Sequence, residues 1–335
     1  MTVKIIAEAG VNHNGDINIA KNLIEIAADC GADIVKFQSF NSASSISKSA
    51  KKARYQQQNL ANSDSQLEMV KKLELSRNDH IQLIRKCEEC GIEFLSTAFD
   101  IESLAMLKDL GAATKLKVPS GELTNVSLLR KFLQYDFEQI LISTGMANLG
   151  EIEQALNLFL DYGVHIDKIT LLHCTTEYPA PFDEINLKAM ETLRDAFQIN
   201  IGYSDHSKGL EVAFAAVALG AKFIEKHFTL DNEMEGPDHK ASIEPEQLKA
   251  LVAGIRNIEK ALGSPQKRPT VSEISNKVSA RKSIVANKKI NAGEVFSEEN
   301  IIAKRPGDGI SADMWDFVLG KVARRKFDPD EKIEI

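Results

Sequence analysis

Short apolar runs that end in polar side chains recur from the start of the chain to Leu230: IIAEAG, DIVKFQSF, IEFLSTAFD, ATKLKVPSGE, QILISTGM, KITLLHCTTEY, INIGYSDH and KFIEKHFTL. Stretches with helical periodicity fill most of the intervals, for example Ile17 to Gly31 and LEVAFAAVALGA. Eight strands with no hairpin signal between neighbours predict parallel βα units of the α/β class, closed into a (β/α)8 TIM barrel. An open doubly wound sheet is the runner-up, disfavoured because no glycine-rich dinucleotide fingerprint follows the first strand. After Leu262 the pattern breaks. GSPQKRPTVSEISNK is polar with two prolines and reads as a linker, and the remainder has short strands and tight glycine turns. The expected division is a barrel over 1–262, a linker over 263–280 and a small domain over 281–335, a size near the lower limit for folding alone.

Composition narrows the function. Of 335 residues, 43% are hydrophobic and 27% charged, as in an ordinary globular protein with a sizeable core. The 41 Lys and Arg against 48 Asp and Glu leave a net charge of −7. No basic block offers a footprint for nucleic acid or a membrane surface, so an anionic substrate has to be held by a few placed cations. MTVKIIAEAGVNHNG lacks an apolar export signal and reads as the first strand of a cytoplasmic protein. Cys87 and Cys90 form a lone CxxC inside a helical pattern, and with Cys30 and Cys174 they read as reduced thiols.

The polar residues fall where a barrel places its chemistry. Strand one ends in Glu8, two in Lys36 and Gln38, three in Thr97, four in Lys117 and Ser120, and five in Ser143. Strand six runs out through His173 to Tyr178, seven ends in Ser204, Asp205 and His206, and eight in Glu225 and His227. The C-terminal strand ends surround a barrel's active site, so an enzyme is favoured over a scaffold. Lys36 shares parity with Gln38, and Glu225 with His227, so each pair points one way, while Ile34, Val35 and Phe37 are expected to fill the remaining faces. Two lysines in apolar strands either snorkel or hold an anion, and the Ser and Thr beside them favour a phosphate or carboxylate. His206 and His227 end adjacent strands. They read either as satisfied or general-base histidines or as a pair sharing a divalent metal, for which nitrogen ligands favour Mn, Co or Zn over Mg. Two protein ligands would leave positions for substrate oxygens.

The motifs EAGVNHNG, VKFQSF, LSTAFD, KVPSGE, LISTGM, LLHCTTEYPAPF, GYSDHSKG, EKHFTL and GPDHKAS, with the tail AGEVFSEENIIAKRPGDGIS, resemble the bacterial sialic acid synthase family over nearly the whole chain. The tail is similar to the antifreeze-like (SAF) domain that those enzymes append to a (β/α)8 barrel. The resemblance implies a transferase that condenses phosphoenolpyruvate with an N-acylated aminosugar, using a divalent metal, foremost Mn2+, with Co2+ or Mg2+ as alternatives. It makes His206 and His227 the metal ligands, and it gives phosphoenolpyruvate to Lys36, Thr97, Lys117, Ser120, Ser143 and Ser204. Gln38, Asn62 and Tyr178 go to the sugar, and Glu8 and Asp238 are the candidates for catalysis around sugar and attacking water. Arg305, in AKRPGDG, corresponds to an arginine that crosses to the other subunit, which implies a homodimer whose SAF domains complete the partner's active site.

The chain departs from several relatives at Ala98, where many have proline, at Thr176, where some have asparagine, and at Arg281, where some carry an aromatic residue. N-acetylmannosamine, giving N-acetylneuraminate, is the first expectation for the sugar. The alternative is 2,4-diacetamido-2,4,6-trideoxymannose, giving N,N'-diacetyllegionaminate. Outside this family stand a Schiff-base aldolase using Lys36 or Lys117 and a non-catalytic protein whose tail binds ice or carbohydrate while the barrel serves as scaffold.

Overall fold

The computed structural model describes residues 2–53, 57 and 65–335 and divides into two compact units, Met1–Gly263 and Ser264–Ile335. In the first, strands β1 (Lys4–Gly10), β2 (Ile34–Ser39), β3 (Glu93–Ala98), β4 (Lys115–Val118), β5 (Gln139–Ser143), β6 (Ile169–His173), β7 (Asn200–Asp205) and β8 (Phe223–His227) form one sheet. The order is β3-β2-β1-β8-β7-β6-β5-β4, and every registered pair in it is parallel. β3 and β4, at the two ends of that order, also lie against one another, so the sheet curls into the expected barrel.

The alternation of side chains divides the barrel into an inside and an outside. Ile5, Ala7 and Ala9 of β1 pack outward into the large core beneath the helices. Helix Ile17–Asp29 shows how that core is made. Asp16 caps it by accepting from the Asn18 amide, and Ala20, Leu23, Ile24 and Ala27 recur at helical spacing on its buried face. The other parity points inward, where Ile6, Ile34, Leu95, Leu141, Leu172 and Phe223 form a separate apolar cluster. Burial of each such side chain stabilises the fold by about 1.5–3 kcal/mol. The cluster is so tight that a Cβ on Gly202 would stand 2.5 Å from Leu172 Cδ2 and 2.7 Å from the Phe223 carbonyl oxygen. Ile34 therefore shares the inner face with Lys36 instead of filling another one.

In the second unit β9 (Ser283–Ala286) and β10 (Ile301–Lys304) pair antiparallel. Isolated bridges Ile290 to Phe327 and Val295 to Val322 extend the strand-rich pattern. This unit has its own core, with Ile284, Phe296, Ile301, Val318 and Phe327 buried together. Residues 271–280, expected within a linker, form a helix capped by a Thr270 and Glu273 box. No buried residue lies on it, so it carries no burial-driven periodicity, and the T-x-x-E spacing is its sequence signal. Among the described residues no helix is long and apolar enough to cross a membrane.

Candidate active site

Five of the six inward positions next above the apolar plug carry a polar group, and the sixth, above Leu172, is Cys174. Glu8, Lys36, Thr97, Ser143 and Glu225 stand two residues beyond Ile6, Ile34, Leu95, Leu141 and Phe223, and Lys117 and Ser204 join them from β4 and β7. Together they line a cavity of about 180 Å3. Glu225 is its hub: its carboxylate lies 3.4 Å from Lys36 Nζ and 3.5 Å from Lys117 Nζ, and it accepts a 2.8 Å bond from Ser204 Oγ. Lys36 also reaches Glu8 Oε2 at 3.0 Å and donates to Thr97 Oγ1 at 3.1 Å. Lys117 donates to Ser143 Oγ at 2.8 Å, and Gln38 Nε2 donates to Glu8 Oε1 at 3.3 Å. Ser120 completes the wall by accepting from the Gly145 amide at 3.1 Å. A Cβ at residue 145 would fall 2.6 Å from Thr176 Cγ2 and 2.8 Å from Ser120 Oγ, so glycine lets these loops meet.

The two carboxyls answer differently to one environment. Burial is the largest influence on both and pushes each upward. At Glu225 the charges of Lys117 and Lys36 outweigh it and hold the group below the usual carboxylate range. At Glu8 burial prevails over Lys36 and is reinforced by the charge of Glu225, raising the carboxyl to about 7. Burial works against the charge of Lys36 too, but Glu225 and Glu8 reverse it and raise its pKa. Lys117 stays lowered, since Glu225 offsets burial only in part. One carboxylate thus holds both lysines, while the other is poised to exchange a proton.

At the rim stand the histidines. The His206 and His227 ring centroids are 5.5 Å apart, and Tyr178 stacks on His206 at 4.1 Å. The loop bearing His206 is anchored outside the barrel by the buried Lys226–Asp205 pair at 2.7 Å, whose other oxygen accepts from the Ser207 amide and hydroxyl. His206 Nδ1 donates to the Thr175 carbonyl at 2.6 Å, which leaves Nε2 as the unprotonated nitrogen. Burial pushes His206 down to about 4, and burial together with His206 and Lys36 holds His227 well below the usual histidine range. Both imidazoles are therefore neutral, as metal ligands must be. The buried Nδ1 of His227 has no hydrogen-bond partner among the described residues. A divalent cation fits this pair. Among the described residues no three His, Cys, Asp or Glu side chains converge as a metal cluster, so such a cation would complete its shell with substrate and water, as catalytic sites do.

Beyond the rim the loops after β1 and β8 are tied together. Asn12 Nδ2 donates to the Phe228 carbonyl at 2.9 Å and to Ser242 Oγ at 2.8 Å, and Asn14 Nδ2 donates to the Glu235 carbonyl at 2.9 Å. Ser242 Oγ in turn donates to the Asp238 carbonyl at 2.8 Å. Asp238 is buried, which raises its carboxyl to about 6, and it lines an outer cavity that shares Gln38, Tyr178 and His227 with the inner one.

The barrel thus gathers Glu8, Lys36, Gln38, Thr97, Lys117, Ser120, Ser143, Tyr178, Ser204, His206 and His227 around one inner cavity and places Asp238 just outside it. Asn62 lies outside the described residues. Arg305 belongs to the second unit, exposed at its surface, where Nε donates to the Ala280 carbonyl at 3.1 Å. Arg281 is exposed in that unit as well. Six lining residues were not assigned as site residues from the sequence: Phe99, Pro119, Gly121, Cys174, Thr176 and Glu225. Glu225 carried a signal, its shared parity with His227.

A closed parallel barrel with buried lysines at the C-terminal strand ends and a neutral histidine pair at the rim defines an enzyme class that acts on small anions. Comparison with known proteins carries this further: the NeuB family model matches residues 23–267 and the SAF domain model residues 281–333. The chain belongs to the NeuB family. It is 56% identical to N,N'-diacetyllegionaminic acid synthase of Campylobacter jejuni over 98% of both chains. With the enzyme of the same name from Legionella pneumophila it shares 45% identity over 96% of this chain and 90% of that one. A crystal structure of N-acetylneuraminic acid (sialic acid) synthetase from Leptospira borgpetersenii in complex with citrate is 36% identical, covers 82% of this chain and 90% of its own, and superposes with a TM-score of 0.71.

Proposed function

We propose that the protein is an N,N'-diacetyllegionaminate synthase, condensing phosphoenolpyruvate with 2,4-diacetamido-2,4,6-trideoxymannose and releasing phosphate. The observation that carries the choice of sugar is the 56% identity, over nearly all of both chains, with the Campylobacter enzyme of that name. Support therefore lies with the second of the two sugars expected from sequence rather than with N-acetylmannosamine.

The inner cavity suits the anionic substrate. Lys36 and Lys117, fixed by Glu225, face its phosphate and carboxylate, and the hydroxyls of Thr97, Ser120, Ser143 and Ser204 donate to the remaining oxygens. The methylene carbon of phosphoenolpyruvate attacks the aldehyde carbon of the open-chain sugar; the carbonyl π pair passes to the aldehyde oxygen, which takes the proton carried by Glu8, and the new bond leaves positive charge at C2. Water adds there, losing its proton to Glu8, with Asp238 as the second candidate. The tetrahedral centre then expels phosphate by C–O cleavage as the two lysines take up the departing charge. His206 and His227 would hold a divalent cation, Mn2+ in this proposal, which would supply Lewis acidity toward the aldehyde. Gln38 and Tyr178 orient the sugar. Neither lysine acts as a Schiff base in this scheme, since each is committed to carboxylate and hydroxyl partners. The active assembly is a homodimer in which Arg305 of each SAF domain reaches the sugar in the partner's barrel.

One assay tests the reading: phosphate release from phosphoenolpyruvate with each sugar in parallel, before and after EDTA and after readdition of Mn2+. The diacetamido sugar is expected to be the better substrate by kcat/KM, with activity lost on chelation and recovered with Mn2+. Preference for N-acetylmannosamine would overturn the choice of sugar, and full turnover in EDTA would overturn the role of the histidines.

A further inference from the structure

Past His227 and Tyr178 the site opens into the outer cavity, about 310 Å3 in volume. Its inner end is the part it shares with the reaction cavity. Beyond that end four apolar side chains line it, with Ser42, Ser45 and Gln66 among them: Ile46, which follows the short helix Ser42–Ser45, and Met69, Val70 and Leu73, in and just after helix Gln66–Lys71. Met69 and Leu73 are 5% and 7% exposed, Ile46 and Val70 are half-buried, and all four line the cavity. Apolar groups buried against a cavity lack the close packing that a core provides and gain it only when an apolar partner fills the space.

Chemistry fixes which part of the sugar arrives there. The aldehyde carbon must lie between the histidines and phosphoenolpyruvate, so the six-carbon chain runs outward and its C4 to C6 end meets the far wall. We infer that Ile46, Met69, Val70 and Leu73 are the specificity-determining surface of the sugar site, receiving the methyl of a C4 acetamido group and the deoxygenated C6. The inference rests on the function proposed above. Ser45 and Gln66, which also line this cavity, supply polar partners for the amide of that acetamido group. A hydroxyl placed against Ile46, Met69, Val70 or Leu73, where the methyl or the deoxygenated carbon would pack, finds no hydrogen bond from them, and discrimination of this kind reaches about 100-fold.

The test is steady-state kinetics of wild type, Met69→Gln, Leu73→Asn and the conservative Met69→Leu with both sugars and saturating phosphoenolpyruvate. Met69→Gln and Leu73→Asn should each raise KM for the diacetamido sugar about tenfold, with KM for phosphoenolpyruvate unchanged and N-acetylmannosamine used at least as well as by wild type. Met69→Leu should behave as wild type. Should the polar variants fail to fold, Val70→Thr, isosteric at a half-buried position, gives the same readout. A wild type that prefers N-acetylmannosamine overturns the proposed function and this inference with it. A wild-type preference for the diacetamido sugar that the polar variants leave intact, or equal losses on both sugars, overturns the inference alone.

Discussion

Glu8 and Glu225 share a cavity and two lysines, and their difference comes from placement. Glu225 sits between both ammonium groups and also accepts from Ser204, whereas Glu8 has Lys36 on one oxygen and the neutral amide of Gln38 on the other. Removing Glu225 would strip Lys117 of the carboxylate that sustains its charge against burial. Breaking a buried pair in this way costs about 3–5 kcal/mol when the partner charge stays behind. Lys117 escapes much of that cost by losing its proton. In Glu225→Gln, kcat/KM for phosphoenolpyruvate should therefore fall about 100-fold. The alkaline limb of its pH profile should move to lower pH, because the lysine pKa drops further once its carboxylate is gone. A profile that keeps the wild-type limb would show that Lys117 does not depend on Glu225 for its charge.

At the scale of elements, the loop after β1 is held by buried neutral groups, and this has a cost in acid. Burial pushes His13 down to about 4, and its Nε2 has no partner among the described residues. In the unfolded chain a histidine titrates near 6.5. Between about pH 6.5 and 4 the unfolded chain binds a proton that the folded one refuses, so stability falls as pH drops through that window, by up to ~1.4 kcal/mol per pH unit for this residue. His239, down to about 4, and His80, also lowered, add in the same direction. His13→Asn should flatten the acid side of a plot of urea midpoint against pH, and an unchanged slope would remove His13 as a source. Elements of this kind differ in how far sequence reveals them. All eight strands are legible because each apolar run is short and ends in polar residues, and period two then pairs Lys36 with Gln38 and Glu225 with His227. A strand apolar on both faces conceals which parity turns inward, which is why Ile34 belongs to the plug and not to another face. The hub role of Glu225 is invisible for another reason: its lysines come from β2 and β4, which are not its neighbours in the sheet, and only barrel closure makes all three converge.

For the whole molecule, the proposed dimer makes a prediction that neither unit makes alone. Glu8→Ala and Arg305→Ala homodimers should both be inactive. Mixing and reassociating them should restore roughly a quarter of wild-type activity under random exchange, since one site in each mixed dimer has Glu8 from one subunit and Arg305 from the other. If Arg305 served its own barrel, both sites of the mixed dimer would carry a lesion and no activity would return, and an active Arg305→Ala homodimer would mark the residue as a surface charge. The barrel adds a constraint of its own. Ile6, Ile34, Leu95, Leu141, Leu172 and Phe223 stop its interior directly beneath the lysines, with the histidines above and the loop cavity above those. Such a shaft is loaded like a stack. With phosphoenolpyruvate on the lysines and the sugar above it, as proposed, the anion has to descend before the sugar closes over it, and the long keto acid must clear the shaft before phosphate can follow, so depth in the barrel becomes order in time.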